Sequence, residues 1–184
     1  MAKLILGFTG EIASGKGTAS KYVVEKYQAS SYRFSTMLRD VLKRLYLEPS
    51  RENMQNISTV LRKSFGEELM AKVIFHDAKD SASEIVVIDG IRRLADIAYL
   101  KELPHFKLVY VEVNMEKRYE RIIKRGENPD DNLKTMEQFK KDHEAETELQ
   151  IKGLKEYANY IIDNDGEISD LYRQIDEIIA NNKI

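Results

Sequence analysis

The sequence predicts an α/β fold in which helices cover both faces of a five-stranded parallel sheet, as a three-layer sandwich. Short apolar runs alternate along the chain with segments that carry apolar residues at helical spacing. The run at 85–88 is β-branched throughout, as expected of a strand buried on both faces. A glycine-rich stretch at 10–18 joins the first apolar run to the first amphipathic segment, as a loop between a strand and a helix would.

The strands are predicted from apolar runs bounded by polar or turn-forming residues. In chain order they lie at 3–9, 32–34, 85–88, 108–113 and 160–162. Strands joined through helices pair in parallel, so these runs predict one parallel sheet.

Residues 36–80 carry three successive apolar stripes at helical spacing. Because one crossover helix is enough to join two parallel strands, we predict that this stretch forms a helical insert over the sheet edge. Ser35 or Thr36 is expected to cap its first helix. Ser50, which follows Pro49, is expected to cap the next one.

The stretch 126–132 reads Gly-Glu-Asn-Pro-Asp-Asp-Asn and is predicted as a loop. A polar helix over 135–150 is expected to follow, with Phe139 and Leu149 among its few apolar anchors. A thinly anchored helix is a candidate for motion, so we predict a short lid at 126–148.

Length and composition predict one soluble globular domain over residues 1–184. The chain is 42% hydrophobic and 33% charged with a net charge of −2, which argues against a nucleic-acid partner. With no cysteine, disulfides and thiolate chemistry are excluded. His76, His105 and His143 lie far apart in sequence, so no histidine metal site is expected. No signal peptide or membrane-spanning run is recognised, so we expect a cytoplasmic protein without a membrane partner.

The stretch 10–18 reads GEIASGKGT and fits the P-loop pattern of Gly, four residues, Gly, Lys. Backbone N–H groups of such a loop, with the positive end of the following helix, bind phosphate. The residues predicted to do so are Gly10, Ala13, Ser14, Gly15, Lys16, Gly17 and Thr18. The hydroxyl at Thr18 comes one place later than in many P-loops, so its role as a metal ligand stays open. The alternative is a tight turn with no ligand.

Asp89 ends the third predicted strand, at the edge where open α/β sheets bind ligands. It is the best candidate for holding Mg²⁺, and the alternative is a residue that merely caps the strand. Arg92 and Arg93 follow at the same edge, where a guanidinium can bind phosphate with two hydrogen bonds. Arg39 is a weaker candidate of the same kind, and solvated side chains are the alternative for all three.

Arg118, Arg121 and Arg125 share a helical stretch that leads into the predicted lid loop. One of them is expected to reach a nucleotide phosphate, while the others are solvated. A phosphate cradle, a magnesium carboxylate and several cations are the parts that phosphoryl transfer requires. The sequence therefore predicts a P-loop NTPase fold with phosphotransferase chemistry.

Several segments carry a resemblance to known families. Lys16 is followed by Gly-Thr, residues 35–39 read Ser-Thr-Met-Leu-Arg, and residues 89–93 read Asp-Gly-Ile-Arg-Arg. These segments resemble the phosphate loop, the acceptor-contacting segment and the phosphate-binding segment of nucleoside monophosphate kinases such as adenylate kinase. The region of Arg118, Arg121, Arg125 and Asp130-Asp131 is similar to the lid of that family. Residues 158–166 resemble the last strand and base-side loop of dephospho-coenzyme A kinases. The chain is also similar to an archaeal group of adenylate kinase-related proteins, and the resemblance covers nearly all of it.

The resemblance implies an ATP- and Mg²⁺-dependent kinase. It implies acceptor contacts at Ser35, Thr36, Arg39, Arg92 and Arg93. It implies catalytic roles for Lys16, Asp89, Arg93 and Arg125, with Arg121 contacting ATP and Thr18 and Asp89 near the metal.

Some positions depart from the family pattern. Ile97 stands where adenylate kinases carry a glutamine that reads the acceptor adenine. Lys140 and Lys141 stand where the family places a further arginine, and lysine lacks the planar fork. Ser35 and Thr36 stand where dephospho-coenzyme A kinases carry aspartates.

The expected activity is transfer of the γ-phosphate of ATP to a nucleoside monophosphate or similar small nucleotide. One alternative is a dephospho-coenzyme A kinase-like enzyme. An alternative of another class is a P-loop ATPase or switch that acts on a macromolecular partner. The expected partner is a small nucleotide acceptor, and the chain is expected to be a monomer or a small homo-oligomer.

Overall fold

The computed structural model describes residues 2–125, 134–144 and 146–182, and at positions 51, 125, 146 and 147 it describes the backbone alone. In that part of the chain five strands form one sheet. They are β1 (Leu4–Thr9), β2 (Ser30–Arg33), β3 (Ile85–Asp89), β4 (Phe106–Glu112) and β5 (Tyr160–Asp163). Every pairing is parallel, and the order across the sheet is β2-β3-β1-β4-β5. The predicted five-stranded parallel sheet is confirmed.

Helices connect the strands and close the chain. In the described ranges they are α1 (Lys16–Tyr27), α2 (Phe34–Arg44), α3 (Arg51–Phe65), α4 (Leu69–Lys79), α5 (Leu94–Ile97), α6 (Met115–Arg125), α7 (Met136–Asp142), α8 (Glu146–Gly153) and α9 (Ile168–Asn181). Between β2 and β3 the chain forms α2, α3 and α4, so the stretch 36–80 is largely helical as predicted. Its division from the rest as an acceptor-binding insert stays a prediction. No helix among the described residues has both the length and the apolar character to cross a bilayer.

The two faces of β1 pack against different helices. Leu4, Leu6 and Phe8 are buried in a cluster that includes residues of α1 and α9. Ile5 is buried in a second cluster together with Ile74 of α4. Successive side chains of a strand point to opposite faces, so helices cover both sides of the sheet. The three-layer arrangement is therefore confirmed.

One predicted helix cap is confirmed and another is wrong. The Ser50 hydroxyl accepts a hydrogen bond at 3.2 Å from the backbone N–H three residues further on, at the start of α3. By contrast α2 begins at Phe34, before either Ser35 or Thr36, because β2 runs directly into it. The Ser35 hydroxyl instead accepts a hydrogen bond from Nη1 of Arg39 at 2.6 Å.

The single polar helix predicted over 135–150 is wrong, because the chain forms α7 and α8 there. After α7 the backbone N–H of His143 donates to the Lys140 carbonyl at 3.1 Å. The His143 ring Nδ1 lies 2.6 Å from the Phe139 carbonyl, which a continuing helix would have used itself. Phe139 is buried as an anchor, but Leu149 is 56% exposed and anchors nothing.

The carboxyl ends of the strands bring the chemically interesting residues to one edge. The stretch 10–18 leaves β1 at this edge, and Arg33 at the end of β2 is in register with Asp89 at the end of β3. Asn164 follows β5, and its backbone N–H donates to the Glu112 carbonyl at 2.9 Å. Parallel α/β sheets bind their ligands at this edge.

Candidate active site

Two glycines give the loop at 10–18 its shape. Gly10 has φ +148° and Gly15 has φ +96°, values that residues with a side chain rarely adopt. A Cβ at Gly10 would clash with the Val111 carbonyl oxygen, and one at Gly15 with the side-chain amide of Asn164. Gly15 directly precedes α1, so the loop opens at the positive end of the α1 dipole.

Asn164, which follows the outermost strand β5 at this edge of the sheet, holds the loop in place. Its Nδ2 donates to the backbone carbonyl of Ser14 at 2.8 Å, and the contact is buried. Arg121 of α6 in turn donates from Nη2 to the Asn164 carbonyl at 2.8 Å. The sequence resemblance placed residues 158–166 in a last strand and base-side loop but gave Asn164 itself no role. Its position directly after the last strand, at the edge where the loop lies, was the signal that could have found it.

Two clefts meet at the loop. The first, which we call the donor cleft, has a volume of about 750 Å³. Its lining comprises Ala13, Gly15, Lys16, Gly17, Thr18, Lys21, Tyr22, Glu25, Arg121, Lys124 and Tyr172. The second, the acceptor cleft, has a volume of about 570 Å³, and it shares Lys16 and Gly17 with the first. The Nζ of Lys16 donates to the Glu11 carbonyl at 3.2 Å, which keeps it beside the loop.

The wall of the donor cleft is braced by a network between α1 and α9. The rings of Tyr22 and Tyr172 stack with centroids 3.9 Å apart. The carboxylate of Asp176 accepts hydrogen bonds from the Tyr22 hydroxyl at 2.9 and 3.0 Å, from the Tyr27 hydroxyl at 2.7 Å and from Lys26 at 2.7 Å. Burial alone would raise the pKa of Asp176, but these hydrogen bonds lower it. Burial, and then the bond to Asp176, raise the pKa of Tyr27 to about 12.

The acceptor cleft is strongly cationic. Its lining includes five cationic side chains, Lys16, Arg33, Arg62, Arg92 and Arg93. Only Asp89 and Asp96 among the lining residues carry a negative charge. Phe34 and Ser35 at the start of α2 complete it, together with Leu38, Ser58 and Met70 of the insert. This charge balance favours an anionic ligand.

Asp89 lies in the acceptor cleft and pairs with a residue that sequence analysis did not single out. Its Oδ2 is 3.1 Å from Nε of Arg33, and the Asp89 side chain is 17% exposed. Arg33 could have been found from the sequence, because it ends the strand that pairs with the strand of Asp89. The described residues contain no group of three His, Cys, Asp or Glu side chains that could hold a metal ion.

The segment that follows Asp89 is fixed by a buried carboxylate. Oδ2 of Asp96 accepts hydrogen bonds from the backbone N–H groups of Arg92 and Arg93, at 2.9 and 3.0 Å. The two arginine side chains therefore start from an anchored backbone. Sequence analysis missed both Asp96 and Arg62. Arg62 lies on α3, and no local sequence pattern shows which side of that helix faces a cleft.

Several predicted positions in the described part of the chain lie outside the lining of both clefts, among them Gly10 and Ser14 of the loop and Thr36, Arg39 and Ile97. Thr36 and Arg39 are exposed, and Arg39 bonds to the Ser35 hydroxyl of its own helix. Ile97 is fully buried in the core cluster that contains Ile88. Its apolar side chain therefore fills the core and does not read a ligand.

Arg118 is neither solvated nor in either cleft lining, so the expectation for the arginines of α6 needs correction. Its side chain is 3% exposed. Its Nε donates to the Val113 carbonyl at 3.1 Å, its Nη2 lies 3.2 Å from the Glu11 carboxylate, and its Nη1 contacts His143. Arg118 thus ties α6 and the end of α7 to the phosphate loop. The Glu148 carboxylate of α8 adds a contact, 3.3 Å from the loop N–H of Ile12.

Of the two arginine side chains of α6 that the structure describes, Arg121 lines the donor cleft and Arg118 does not. The side chain of Arg125 and the residues 126–133 of the predicted lid, with Asp130 and Asp131, lie outside the described residues. Lys140 and Lys141 are exposed on α7.

The parallel sheet, the loop after β1 and the two clefts that meet at Lys16 define a P-loop protein of the kinase-like α/β class. The family model described as AAA domain matches residues 9–140. A UPF0200 protein of Sulfurisphaera tokodaii is 30% identical over 177 residues, covering 95% of this chain and 95% of its own. The chain therefore belongs to the AAA domain family and, with that relative, to the UPF0200 proteins.

Two solved structures share the fold across nearly their whole length. A shikimate kinase from Bacteroides thetaiotaomicron matches with a TM-score of 0.59 and 14% identity, over 98% of this chain and 99% of its own. A gluconokinase from Sinorhizobium meliloti matches with a TM-score of 0.60 and 11% identity, over 97% and 93%. At 14% and 11% sequence identity, structural similarity to these two proteins shows a shared fold. The predicted P-loop fold is therefore confirmed.

Proposed function

We propose that the protein is a kinase that transfers the γ-phosphate of ATP, with Mg²⁺, to a nucleoside monophosphate or a similar small nucleotide. The observation that carries this proposal is that the donor and acceptor clefts share Lys16 and Gly17. A terminal phosphoryl group held at the loop is then accessible from both sides. Phosphoryl transfer depends mainly on such positioning and on charge neutralisation.

The donor cleft suits ATP. Lys16, Lys21, Arg121 and Lys124 line it, and their positive charges favour the phosphates of a nucleotide. A Cβ at Gly17 would meet nothing within 4 Å, so the cleft has open space beside the loop. We assign ATP binding to Gly10, Ala13, Ser14, Gly15, Lys16, Gly17, Thr18 and Arg121.

Asp89 is the proposed magnesium carboxylate, and Thr18 is the second candidate. Mg²⁺ keeps several waters and binds through one or two carboxylates together with substrate phosphates, so a lone carboxylate fits it. When bound, the ion supplies charge neutralisation at the transferring phosphoryl group. Asp89 lies in the lining of the cleft, where its partner Arg33 is 57% exposed.

The acceptor cleft suits an anion, and Arg92 and Arg93 are proposed to bind it, with Ser35 as a polar contact. Lys16, Asp89 and Arg93 are the proposed catalytic residues. Arg125, with the lid at 126–148, keeps the catalytic role that the resemblance implies. Thr36 and Arg39 keep a proposed acceptor role only if the insert moves toward the ligand.

An activity panel tests the proposal. The purified protein is incubated with ATP and Mg²⁺ and each of a set of acceptors, and ADP release is measured. The set contains nucleoside and deoxynucleoside monophosphates and dephospho-coenzyme A, together with shikimate and gluconate, the substrates in the names of the structural neighbours. We expect at least one nucleotide to stimulate ADP release. Turnover that no small acceptor stimulates, but that a macromolecule does, would favour the ATPase or switch alternative.

Lys16→Ala separates catalysis at the loop from a contaminating activity. Loss of the lysine should lower acceptor-dependent turnover by about 100-fold or more, since it removes a charge that stabilises the transition state. Lys63→Ala, an exposed lysine of α3, is the matched control and should leave turnover unchanged. Equal activity of the two variants would refute the assignment.

A further inference from the structure

Glu67, on the turn between α3 and α4, bridges two arginines of the acceptor cleft. Its Oε2 lies 3.3 Å from Nη1 of Arg62 and 3.5 Å from Nη1 of Arg93. One carboxylate oxygen thus faces two guanidinium groups that come from different parts of the chain. Arg62 belongs to the helical insert, and Arg93 follows the central strand β3.

Arg62 is held in place independently of that carboxylate. Its Nη1 donates to the backbone carbonyl of Glu67 at 2.9 Å. Its Nε lies 3.4 Å from the Ser58 hydroxyl, and its Nη2 lies 3.4 Å from the Met70 sulfur. The side chain is only 12% exposed. The guanidinium therefore stays at the cleft wall when the Glu67 side chain leaves.

The Glu67 carboxylate itself is loosely held. Its side chain is 66% exposed, and Arg93 is 40% exposed. Ion pairs with this much solvent contribute little and are screened by salt. A phosphate monoester offers two charges and three oxygens, and two guanidinium forks can each bind it with paired hydrogen bonds. A dianion can therefore replace the carboxylate at low cost.

We propose that Arg62 and Arg93 form the subsite for the acceptor's phosphate monoester, and that Glu67 occupies this subsite until the acceptor displaces it. The proposal rests on the proposed function and adds Arg62 and Glu67 as specificity-determining residues. A neutral or singly charged acceptor gains less than the internal carboxylate already supplies. Glu67 thereby favours phosphate monoesters over polyols and monocarboxylates.

Phosphate binding at this subsite can be measured without any reaction. Inorganic phosphate is titrated into ¹⁵N-labelled protein at low salt, and the Nε–Hε signals of Arg62 and Arg93 are followed by NMR. Arg62→Lys and Arg93→Lys variants assign the two signals. Following these arginines separates the subsite from phosphate bound at the loop around Lys16.

Glu67→Gln removes the competing charge and keeps the size of the side chain. We expect half-saturation of the Arg62 and Arg93 signals at about 2- to 10-fold lower phosphate, the range that two exposed ion pairs supply. Glu68→Gln is the matched control, because Glu68 is the neighbouring carboxylate and bonds to the Tyr99 hydroxyl instead. That variant should titrate like the wild type.

Unchanged or weaker phosphate binding in Glu67→Gln would overturn the proposal, as would arginine signals that phosphate does not move. A thermal melt of each variant shows that a change in binding is not a loss of folding. Once an acceptor is known, Glu67→Gln should lower its KM by a similar factor and leave kcat and the KM of ATP unchanged. If no acceptor is found, the proposed function fails while the phosphate titration still decides the subsite.

Discussion

At the scale of single residues, positions 15 and 17 of the phosphate loop are glycine for different reasons. Gly15 is required by the protein, since its φ is +96° and a Cβ there would clash with Asn164. Gly17 lies within the first turn of α1, and a Cβ there would meet nothing within 4 Å. The folded chain gives no reason for glycine at position 17. A bound ligand that needs the space would give one.

Gly17→Ala tests that explanation. Alanine favours helix over glycine, so the free energy of unfolding should be unchanged or higher by up to about 1 kcal/mol. ATP affinity should nevertheless fall by about 10-fold or more, because the methyl group enters the space of the phosphates. Calorimetric titration and urea unfolding measure the two quantities.

Gly153→Ala is the control for this prediction, since a Cβ at Gly153 also meets nothing within 4 Å and Gly153 ends α8. It should leave ATP affinity unchanged. Wild-type affinity in Gly17→Ala would show that the donor cleft does not place phosphates against α1.

The sequence revealed those site residues that follow a strand or belong to the loop pattern. Asp89, Arg92 and Arg93 could be placed because the end of a strand defines an edge of the sheet. Arg62 could not be placed in the site, since its role depends on which way its helix turns. Asn164 follows a strand and could have been placed at this edge, but its hydrogen bond to the phosphate loop depends on long-range packing that the sequence does not report. Ile97 shows the same limit. Its position relative to Asp89 in the sequence suggested a place beside the acceptor, but the side chain packs in the core.

At the scale of elements, α1 and α9 are joined by a polar network as well as by apolar packing. Asp176 accepts hydrogen bonds from three side chains of α1, and one of them, Tyr22, forms the wall of the donor cleft. The Asp176 side chain is 35% exposed, so the network is only partly shielded from water. Stability and the shape of the cleft are therefore coupled at this contact.

Asp176→Asn should lower the free energy of unfolding by about 1 kcal/mol at pH 7, since it weakens hydrogen bonds to a charged acceptor at a half-exposed site. The folded-state pKa of Asp176 is lowered below its unfolded value of about 3.9. The stabilisation by the carboxylate is therefore complete above that pH and is lost as the pH falls through the folded-state pKa. Urea unfolding at pH 7 and pH 3 measures both.

Glu177→Gln serves as the control, because Glu177 is an exposed neighbour that pairs with Arg173 at 2.9 Å. Its effect at pH 7 should be smaller than that of Asp176→Asn. A difference between Asp176→Asn and the wild type that stays the same at pH 3 would contradict the pKa argument.

At the scale of the whole molecule, one sheet edge carries both clefts while the opposite edge carries none of the predicted site residues described here. The parallel sheet could be predicted because β1, β3 and β4 are buried apolar runs, and the loop fixed the direction of the first one. The edge strand β2, Ser30–Arg33, has no such apolar signature, and its bounds differ from the predicted 32–34. The break between α7 and α8 could not, since it depends on a side-chain contact of His143 with the carbonyl of Phe139. Local sequence patterns predict helices and strands better than they predict the side-chain contacts at which these elements end.

Ligand binding should stabilise the whole domain. At an ATP concentration about 100-fold above the dissociation constant, the gain in stability is about 2.7 kcal/mol. For a domain of this size that raises Tm by about 5–10 °C. Lys16→Ala should abolish the shift, and Lys63→Ala should keep it. Equal shifts in both variants would place ATP elsewhere.

The lining that the two clefts share also makes their ligands interdependent. Lys16 is one cation that lines both clefts. If each cleft binds an anion as proposed, whichever ligand arrives first reduces the attraction that remains for the second. By thermodynamic linkage this penalty is the same in either order of binding. A cation that binds together with the donor, or the arginines of the acceptor cleft, offsets this loss of affinity. Through Lys16, the affinity of each cleft therefore depends on whether the other is occupied and on the charge of the ligand there.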